Sequence, residues 1–294
     1  MNLDYTQLAA LSAILRLGSF EAAAAHLGVT PSAISQRLKA LEERVGTTLV
    51  QRGQPCTGTD AGRRLAAHAD SVSLLETALA RDLGHPEAGT TPARLRLAVN
   101  ADSLATWFLP ALSAQEDVVY DLVIDDQDHS ADWLRRGEVV AAVTAHAKPV
   151  AGCDCSALGA LPYTAAASPA FLDRWFPDGI TAEALSRAPM LQFDQKDRLQ
   201  QRWLQQVAGV ASTPPTHLLP SSQGFVDAML AGLGWGMAPM LQTAPHVATG
   251  RLVTLLPGQP LDVPLYWQIS RIAAPALTDL TLAVRRQAKD HLSA

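Results

Sequence analysis

Phe20-Glu21-Ala22-Ala23-Ala24-Ala25-His26-Leu27-Gly28-Val29-Thr30-Pro31-Ser32-Ala33-Ile34-Ser35-Gln36-Arg37-Leu38-Lys39-Ala40-Leu41-Glu42 reads as two helices joined by a tight turn. Ser19 can cap the first, which is rich in alanine. Gly28-Val29 supplies the turn. Thr30 then stands as N-cap, with Pro31 at the first helical position, where a missing N–H does no harm. Ile34, Leu38 and Leu41 share one face of the second helix, and Gly46 closes it. Upstream, Asp4 can cap an earlier helix, with Gln7 at capping-box spacing and Leu8, Leu11 and Leu15 on one side. Gly18 ends that helix. Downstream, Thr48-Leu49-Val50 and then Gln51 to Thr59, with Gly53, Pro55 and Gly58, read as a short hairpin, or wing.

Three helices and a wing predict a winged helix-turn-helix over residues 1–59. Its last helix would enter the DNA major groove with its N-terminal residues at the base edges. Thr30, Pro31, Ser32, Ser35, Gln36, Arg37 and Lys39 occupy that end and its outward face. Gln can pair bidentately with adenine and Arg with guanine, while Ser and Lys can hold phosphate. Arg52 in the wing can reach a flanking phosphate or the minor groove. Helix pattern alone also fits a plain three-helix bundle with a solvated polar face.

The formal charge of the 294-residue chain is −5, which argues mildly against a nucleic-acid binder. From Gly28 to Arg52, however, Arg37, Lys39, Arg44 and Arg52 outnumber Glu42 and Glu43, and Arg63 and Arg64 follow. The acidity therefore sits toward the C-terminus, where something other than DNA can bind. With 48% hydrophobic and 17% charged residues, the chain is globular and long enough for about two or three domains. Its N-terminus, MNLDYTQL, shows no secretory pattern, and no run of about 18 apolar residues exists. A cytoplasmic protein with no membrane partner is expected.

Asp60 to Leu83 carries Leu65, Ala69, Val72, Leu75, Leu79 and Leu83 at spacings of three and four, so it predicts one long amphipathic helix. His85 to Pro92 reads as a linker, and residues 60–92 as helix plus hinge. The texture then changes. Strands at Leu95–Val99, Leu122–Ile124 and Val139–Thr144 alternate with helices, including one at Trp133–Gly137. The alternation resumes at Tyr163–Ala167, Met190–Phe193, Arg198–Val207 and Trp235–Ala238. Such alternation predicts parallel α/β sheet in two lobes with a cleft between them.

The quoted stretch, with Leu49-Val50-Gln51-Arg52 and Thr59-Asp60-Ala61-Gly62, strongly resembles the LysR-type transcriptional regulators. The resemblance implies that the long helix is a dimerisation helix, although its apolar stripe would also pack within its own chain. It implies for residues 93–294 a two-lobed α/β effector domain like a periplasmic binding protein. Lobe I would span about 93–162 and 269–294, lobe II about 163–268, with chain crossings near Leu161–Tyr163 and Trp267–Ser270. The fold class is thus α/β, with a mainly α winged head and a long linker helix. Leu97 to Trp107, Leu134 to Val140, Gly232-Leu233-Gly234-Trp235-Gly236 and Tyr266-Trp267 further resemble the LysG/ArgP branch. In that branch the effector is lysine, arginine or a related basic amino acid, the regulated gene an exporter gene, and the assembly a homodimer or a tetramer of dimers. RNA polymerase is a further candidate partner.

The residues suit such a ligand. Asn100, Ala101, Asp102 and Ser103 follow a strand and open a helix, where backbone N–H groups can hold a carboxylate. Ser221 and Ser222 can add hydroxyls from the other lobe. Asp125 and Asp126 follow a strand at its carboxyl end, where α/β sheets bind ligands, and would suit an ammonium or guanidinium. Asp194 and Thr144 are further candidates, and Trp107, Phe193 and Trp267 candidate apolar walls. Asp125-Asp126-Gln127 departs from the branch, which shows Glu-Asp-Glu there: one carboxylate is shorter and one position is neutral. Solvated turns and core-filling tryptophans fit the same residues.

Catalysis and metals find no pattern. Gly232-x-Gly234-x-Gly236 is not a dinucleotide fingerprint, because its third glycine comes too soon and Pro239 follows. No G-x-S-x-G or H-E-x-x-H occurs, and Cys153-x-Cys155 lacks a second pair. The reading is a non-enzymatic regulator with no cofactor, activated by L-lysine or L-arginine. Its alternatives are a regulator sensing another amino acid or a small carboxylate, and an architectural DNA-binding protein without effector.

Overall fold

The computed structural model describes residues 3–84, 92–115, 118–125, 129–209 and 214–293. The expected linker falls almost wholly outside them, as does Asp126.

Three helices, α1 (Tyr5–Leu17), α2 (Phe20–His26) and α3 (Pro31–Val45), form the head. Each starts on the cap that the sequence offers. Asp4 accepts the Thr6 N–H, Ser19 the Ala22 N–H and Thr30 the Ala33 N–H. Gly18 and Gly46 end α1 and α3 in the left-handed conformation. Ile34, Leu38 and Leu41 turn inward against Leu8, Leu11 and Ile14. Each such side chain stabilises the head by about 1.5–3 kcal/mol. The wing pairs β1 (Val50–Gln51) with β2 (Thr57–Gly58) antiparallel.

The linker helix α4 (Asp60–Asp82) leaves the wing at once. A Cβ on Gly62 would stand 2.0 Å from the Leu49 carbonyl oxygen, so only glycine lets α4 pass this close to the strand entering the wing. Leu74 is buried against the C-terminal domain, while Leu79 and Leu83 stay exposed.

That domain begins with β3 (Ala93–Val99) and continues through α5 (Ala101–Ser103), a π-helical turn (Leu104–Phe108) and α6 (Leu109–Leu112). Pro110 cannot donate to the Thr106 carbonyl and its ring would crowd it; the wider π register just upstream relieves both. Strand β4 (Val118–Ile124), helix α7 (Ser130–Arg136) and β5 (Ala141–Thr144) follow, with β4 and β5 both parallel to β3.

The parallel expectation stops there. Two long strands, β6 (Cys153–Ala167) and β11 (Leu261–Ser270), run antiparallel to each other, and β11 runs antiparallel to β5. These are the crossing strands. Ten paired positions, with one register shift between Leu265 and Tyr266, carry the chain from one lobe to the other within a single sheet, which parallel βαβ units alone cannot do. Gly159, at φ +118°, bends β6 where Ala160 pairs with Ser293 of the C-terminus.

The second lobe contains α8 (Pro169–Trp175), α9 (Ala182–Arg187), β7 (Met190–Gln192), α10 (Leu199–Ala208) and β8 (Thr216–Leu218). It continues with α11 (Ser222–Leu230), β9 (Gly236–Pro239), α12 (Met240–Ala248) and β10 (Val253–Thr254). Strands β9 and β10 join β6, and β7 pairs with β8 in parallel. A 3-10 turn (Ala274–Leu277) and α13 (Thr278–His291) return to the first lobe.

Candidate DNA-reading face and effector cleft

On α3, Ser32, Ser35, Gln36 and Lys39 are exposed and Arg37 is half-exposed, so one polar face runs along the N-terminal turns. Thr30 and Pro31 are exposed at its start. Lys39 pairs with Glu43, at 3.7 Å across two exposed side chains, a weak pair that phosphate would easily replace. Arg52 lies over the Phe20 ring at 5.6 Å, which holds the wing's cation beside the helix-turn-helix. Glu42, an acid in this basic stretch, is turned away from it. Its Oε1 accepts the Leu49 and Val50 N–H groups at 2.7 and 3.4 Å and ties the end of α3 to the wing.

The cleft between the lobes is nearly closed. Its free space measures about 40 Å³, room for roughly three waters. Asn100, Ala101 and Asp102 form the floor at the junction of β3 and α5, and Asp125 at the end of β4 stands beside them. Asp197, Ser222 and Phe193 face them from the second lobe, with Leu199, Phe225 and Met237 as apolar wall.

Three carboxylates therefore border one small space. Asp102 accepts Tyr163 Oη–H at 2.7 Å and Ser222 Oγ–H at 2.6 Å, the latter contact joining the two lobes. Loss of water inside the closed cleft pushes the Asp102 pKa up, against those two hydroxyls, and nearby Asp197 pushes the same way. Burial likewise raises Asp197, although its oxygens accept the Phe193 and Leu199 N–H groups at 3.0 and 2.9 Å. Asp125 accepts the Trp133 indole N–H at 2.8 Å and faces Lys196 at 3.5 Å. Asn100 Oδ1, buried at the cavity wall, has no hydrogen-bond partner among the described residues. Asn100 does not cap the helix with its side chain. The first N–H groups of that helix point outward from its N-terminal end, as at any helix start. A site with this polar inventory favours a ligand that is cationic at one or more points and carries a carboxylate at another. Among the described residues no group of His, Cys, Asp and Glu could hold a metal ion.

The other expected site residues lie elsewhere. Trp107 and Trp267 do not line the cavity. Both are fully buried, with Phe108 between them at 5.6 and 6.1 Å, and Trp267 donates to Thr281 on α13. Val263, Leu265, Trp267 and Ile269 alternate onto the core face of β11, and that parity takes Trp267 away from the cleft. Ser103 is buried beneath the floor. Thr144 accepts Gln268 Nε2–H at 3.1 Å inside the sheet. Asp194 turns back on its loop, its Oδ1 accepting the Lys196 and Asp197 N–H groups, and Ser221 caps α11. Asp197 and Lys196 were not foreseen. The signal was present, for both follow β7 at its carboxyl end, as Asp125 follows β4.

The comparisons agree with this anatomy. Residues 5–63 match the family profile described as "Bacterial regulatory helix-turn-helix protein, lysR family", and residues 88–289 match "LysR substrate binding domain". The chain belongs to the LysR family. This LysR-family protein is 46% identical over 292 residues to the HTH-type transcriptional regulator ArgP of Pseudomonas aeruginosa, covering 98% of its own length and 97% of the relative's. It is 44% identical over 287 residues to the HTH-type transcriptional regulator LysG of Mycobacterium tuberculosis, covering 98% and 94%. The crystal structure of ArgP from Mycobacterium tuberculosis superposes with a TM-score of 0.83 at 43% identity, over the whole of both chains. Full-length LysG from Corynebacterium glutamicum, solved with bound effector Arg, superposes with a TM-score of 0.69 at 38% identity, over 99% and 100%. The LysR-family chain is a DNA-binding transcriptional regulator with a small-molecule effector domain; its relatives are named as regulators and not as enzymes.

Proposed function

We propose that this regulator senses a basic amino acid, L-arginine or L-lysine, in the cleft between its lobes, and activates an exporter gene in response. The observation that carries the reading is the convergence of Asp102, Asp125 and Asp197 on one space beside Asn100 Oδ1, which has no hydrogen-bond partner among the described residues. A free basic amino acid brings two cations and one carboxylate. The ammonium groups suit the carboxylates and Asn100 Oδ1, and the carboxylate suits the start of the helix at Ala101. The Corynebacterium LysG that binds Arg supports the choice.

The regulator reads DNA with Ser32, Ser35, Gln36, Arg37 and Lys39 of α3, while Arg52 adds a contact from the wing. It works as a homodimer or a tetramer of dimers joined through α4, where the exposed Leu79, with Leu83 just past the helix end, needs a partner surface. RNA polymerase is the partner through which activation would act. The effector shifts promoter binding only as far as it prefers one arrangement of the assembly over another.

Isothermal calorimetry with L-lysine, L-arginine, L-histidine and L-leucine tests the reading. Saturable binding of L-lysine or L-arginine, and none of L-leucine, is expected. Folded protein that binds neither basic amino acid would overturn it.

A further inference from the structure

One cation already sits in the acidic cleft. Lys196 Nζ lies 3.5 Å from Asp125 Oδ1, and the contact crosses from the loop after β7 to the end of β4, one lobe to the other. Asp125 is held for this contact. Its Oδ2 accepts the Trp133 indole N–H at 2.8 Å, which turns Oδ1 toward Lys196, and only 17% of the side chain is exposed. The Lys196 backbone is held too, because its N–H donates to Asp194 Oδ1 at 2.7 Å. The ammonium end is not confined, for the side chain is 55% exposed on a four-carbon stem. Lys196 is thus anchored at its root and free to swing at its tip.

We propose, resting on the basic-amino-acid reading above, that Lys196 is a built-in competitor of the effector: its ammonium occupies the subsite at Asp125 that the effector's side-chain cation takes. Two observations besides the contact itself support this. The cleft has about 40 Å³ free, which is too little for an amino acid with a long side chain, so entry requires the lobes to part. Lys196 does not itself line that space, but its contact with Asp125, which does, crosses between the lobes and has to yield when they part. Charge points the same way. Exchanging one cation for another at Asp125 leaves the cleft's charge unchanged. A neutral side chain that displaced Lys196 would not replace the cation it withdraws from the mostly buried Asp125, which is costly. Lys196 therefore sets the effector's threshold concentration and excludes neutral amino acids of the same length.

Calorimetry of the full-length protein tests this with L-lysine, L-arginine and L-norleucine, the last matching lysine without its charge. Lys196→Met should bind L-lysine and L-arginine about fivefold more tightly than the wild type, the scale of one partly exposed ion pair. L-norleucine binding should not tighten. Lys196→Arg keeps a cation at the subsite and should lose the gain. In an Asp125→Asn background Lys196→Met should have no effect, because the contested carboxylate is gone. Wild-type binding of basic amino acids that is unchanged or weakened in Lys196→Met overturns the inference and leaves the effector reading standing; weakening would make Lys196 a contact to the effector's carboxylate. Absence of basic amino-acid binding in wild type and Lys196→Met alike sinks both.

Discussion

Asp102→Asn separates what the cleft needs for its ligand from what it needs to fold. Closure removes water from this carboxylate and raises its pKa above the usual 3.8. A raised carboxylate pKa means that the folded chain holds the proton more tightly than the unfolded one. Between 3.8 and the raised value the folded chain binds more protons, so stability falls as pH rises through that window and then levels off. The ionised group is thus a burden on the empty protein. Asparagine removes the charge and keeps polar atoms facing the Tyr163 and Ser222 hydroxyls, which can rotate to suit. Two charge-assisted hydrogen bonds become neutral ones, a loss of about 1 kcal/mol each. Relief of the buried charge offsets that loss, so stability at neutral pH should stay within about 2 kcal/mol of wild type. Its decline with rising pH in the acid range should flatten. For a cationic ligand the same change has no compensation. One charge-assisted contact is worth about 1.5–3 kcal/mol, so the Kd for L-arginine or L-lysine should rise roughly ten- to hundredfold. Denaturant melts across the acid range and calorimetry at neutral pH measure the two quantities. A variant destabilised by more than about 4 kcal/mol would show Asp102 to be a structural anion, and unchanged affinity in a stable variant would remove it from the ligand site.

Gln36→Ala with Arg37→Ala should weaken operator binding in a gel shift by at least about thirtyfold, for two bidentate base contacts at about 1–3 kcal/mol each, with the thermal melt unchanged. Gly62→Ala puts a carbon 2.0 Å from the Leu49 carbonyl; we expect a loss of about 1–3 kcal/mol and of DNA binding, and a wild-type melt would refute the close approach. Leu79→Lys with Leu83→Lys should shift the sedimenting species toward monomer, since Leu79 stands exposed on α4 and Leu83 just past its end. Glu138→Gln leaves Arg63, Arg96 and Arg136, at 3.6, 3.8 and 2.9 Å, facing a neutral group. A loss of about 1–3 kcal/mol is expected, below the value for a fully buried pair because the arginines are partly exposed.

Local chemistry was legible in the sequence, and relations across the chain were less so. Asp4, Ser19 and Thr30 act on N–H groups two or three residues away, so the sequence contains the whole interaction. The same holds for the Pro31 start and for Gly18 and Gly46. Strand direction is different, because β6 and β11 pair over a separation of about a hundred residues and hydrophobic runs do not encode direction. The tryptophans were misplaced for a related reason. Trp107 stands within the π-helical turn and Trp267 within β11, and both side chains turn onto the core face. Asp125 could be found by the rule that ligands meet the carboxyl ends of strands. Asp197 obeys that rule too, but its strand β7 is three residues long and leaves little pattern to read.

The strand β3 explains how a cleft this small can matter to a head this far along the chain. At its carboxyl end stand Asn100 and Asp102, which form the floor of the proposed effector site. At its other end Arg94 and Arg96 pair with Asp121, at 2.6 and 3.1 Å, and Arg96 also approaches Glu138. Glu138 in turn meets Arg63 of the linker helix, and Asp70 of the same helix accepts Ser12 Oγ–H of α1 at 3.1 Å. One seven-residue strand therefore borders the proposed effector site at one end and the linker helix that carries the head at the other. Spatial continuity does not by itself make coupling; that requires two arrangements with different ligand affinities. The linker contacts supply a candidate for the second arrangement. They are ion pairs at partly exposed arginines, around a joint that carries charged side chains on both of its sides. If the effector biases that joint, DNA must bias effector affinity by the same factor, because coupling free energy between two bound ligands is reciprocal. Calorimetry of effector binding with and without operator DNA therefore reads the switch from the side opposite to a gel shift, and the two factors have to agree.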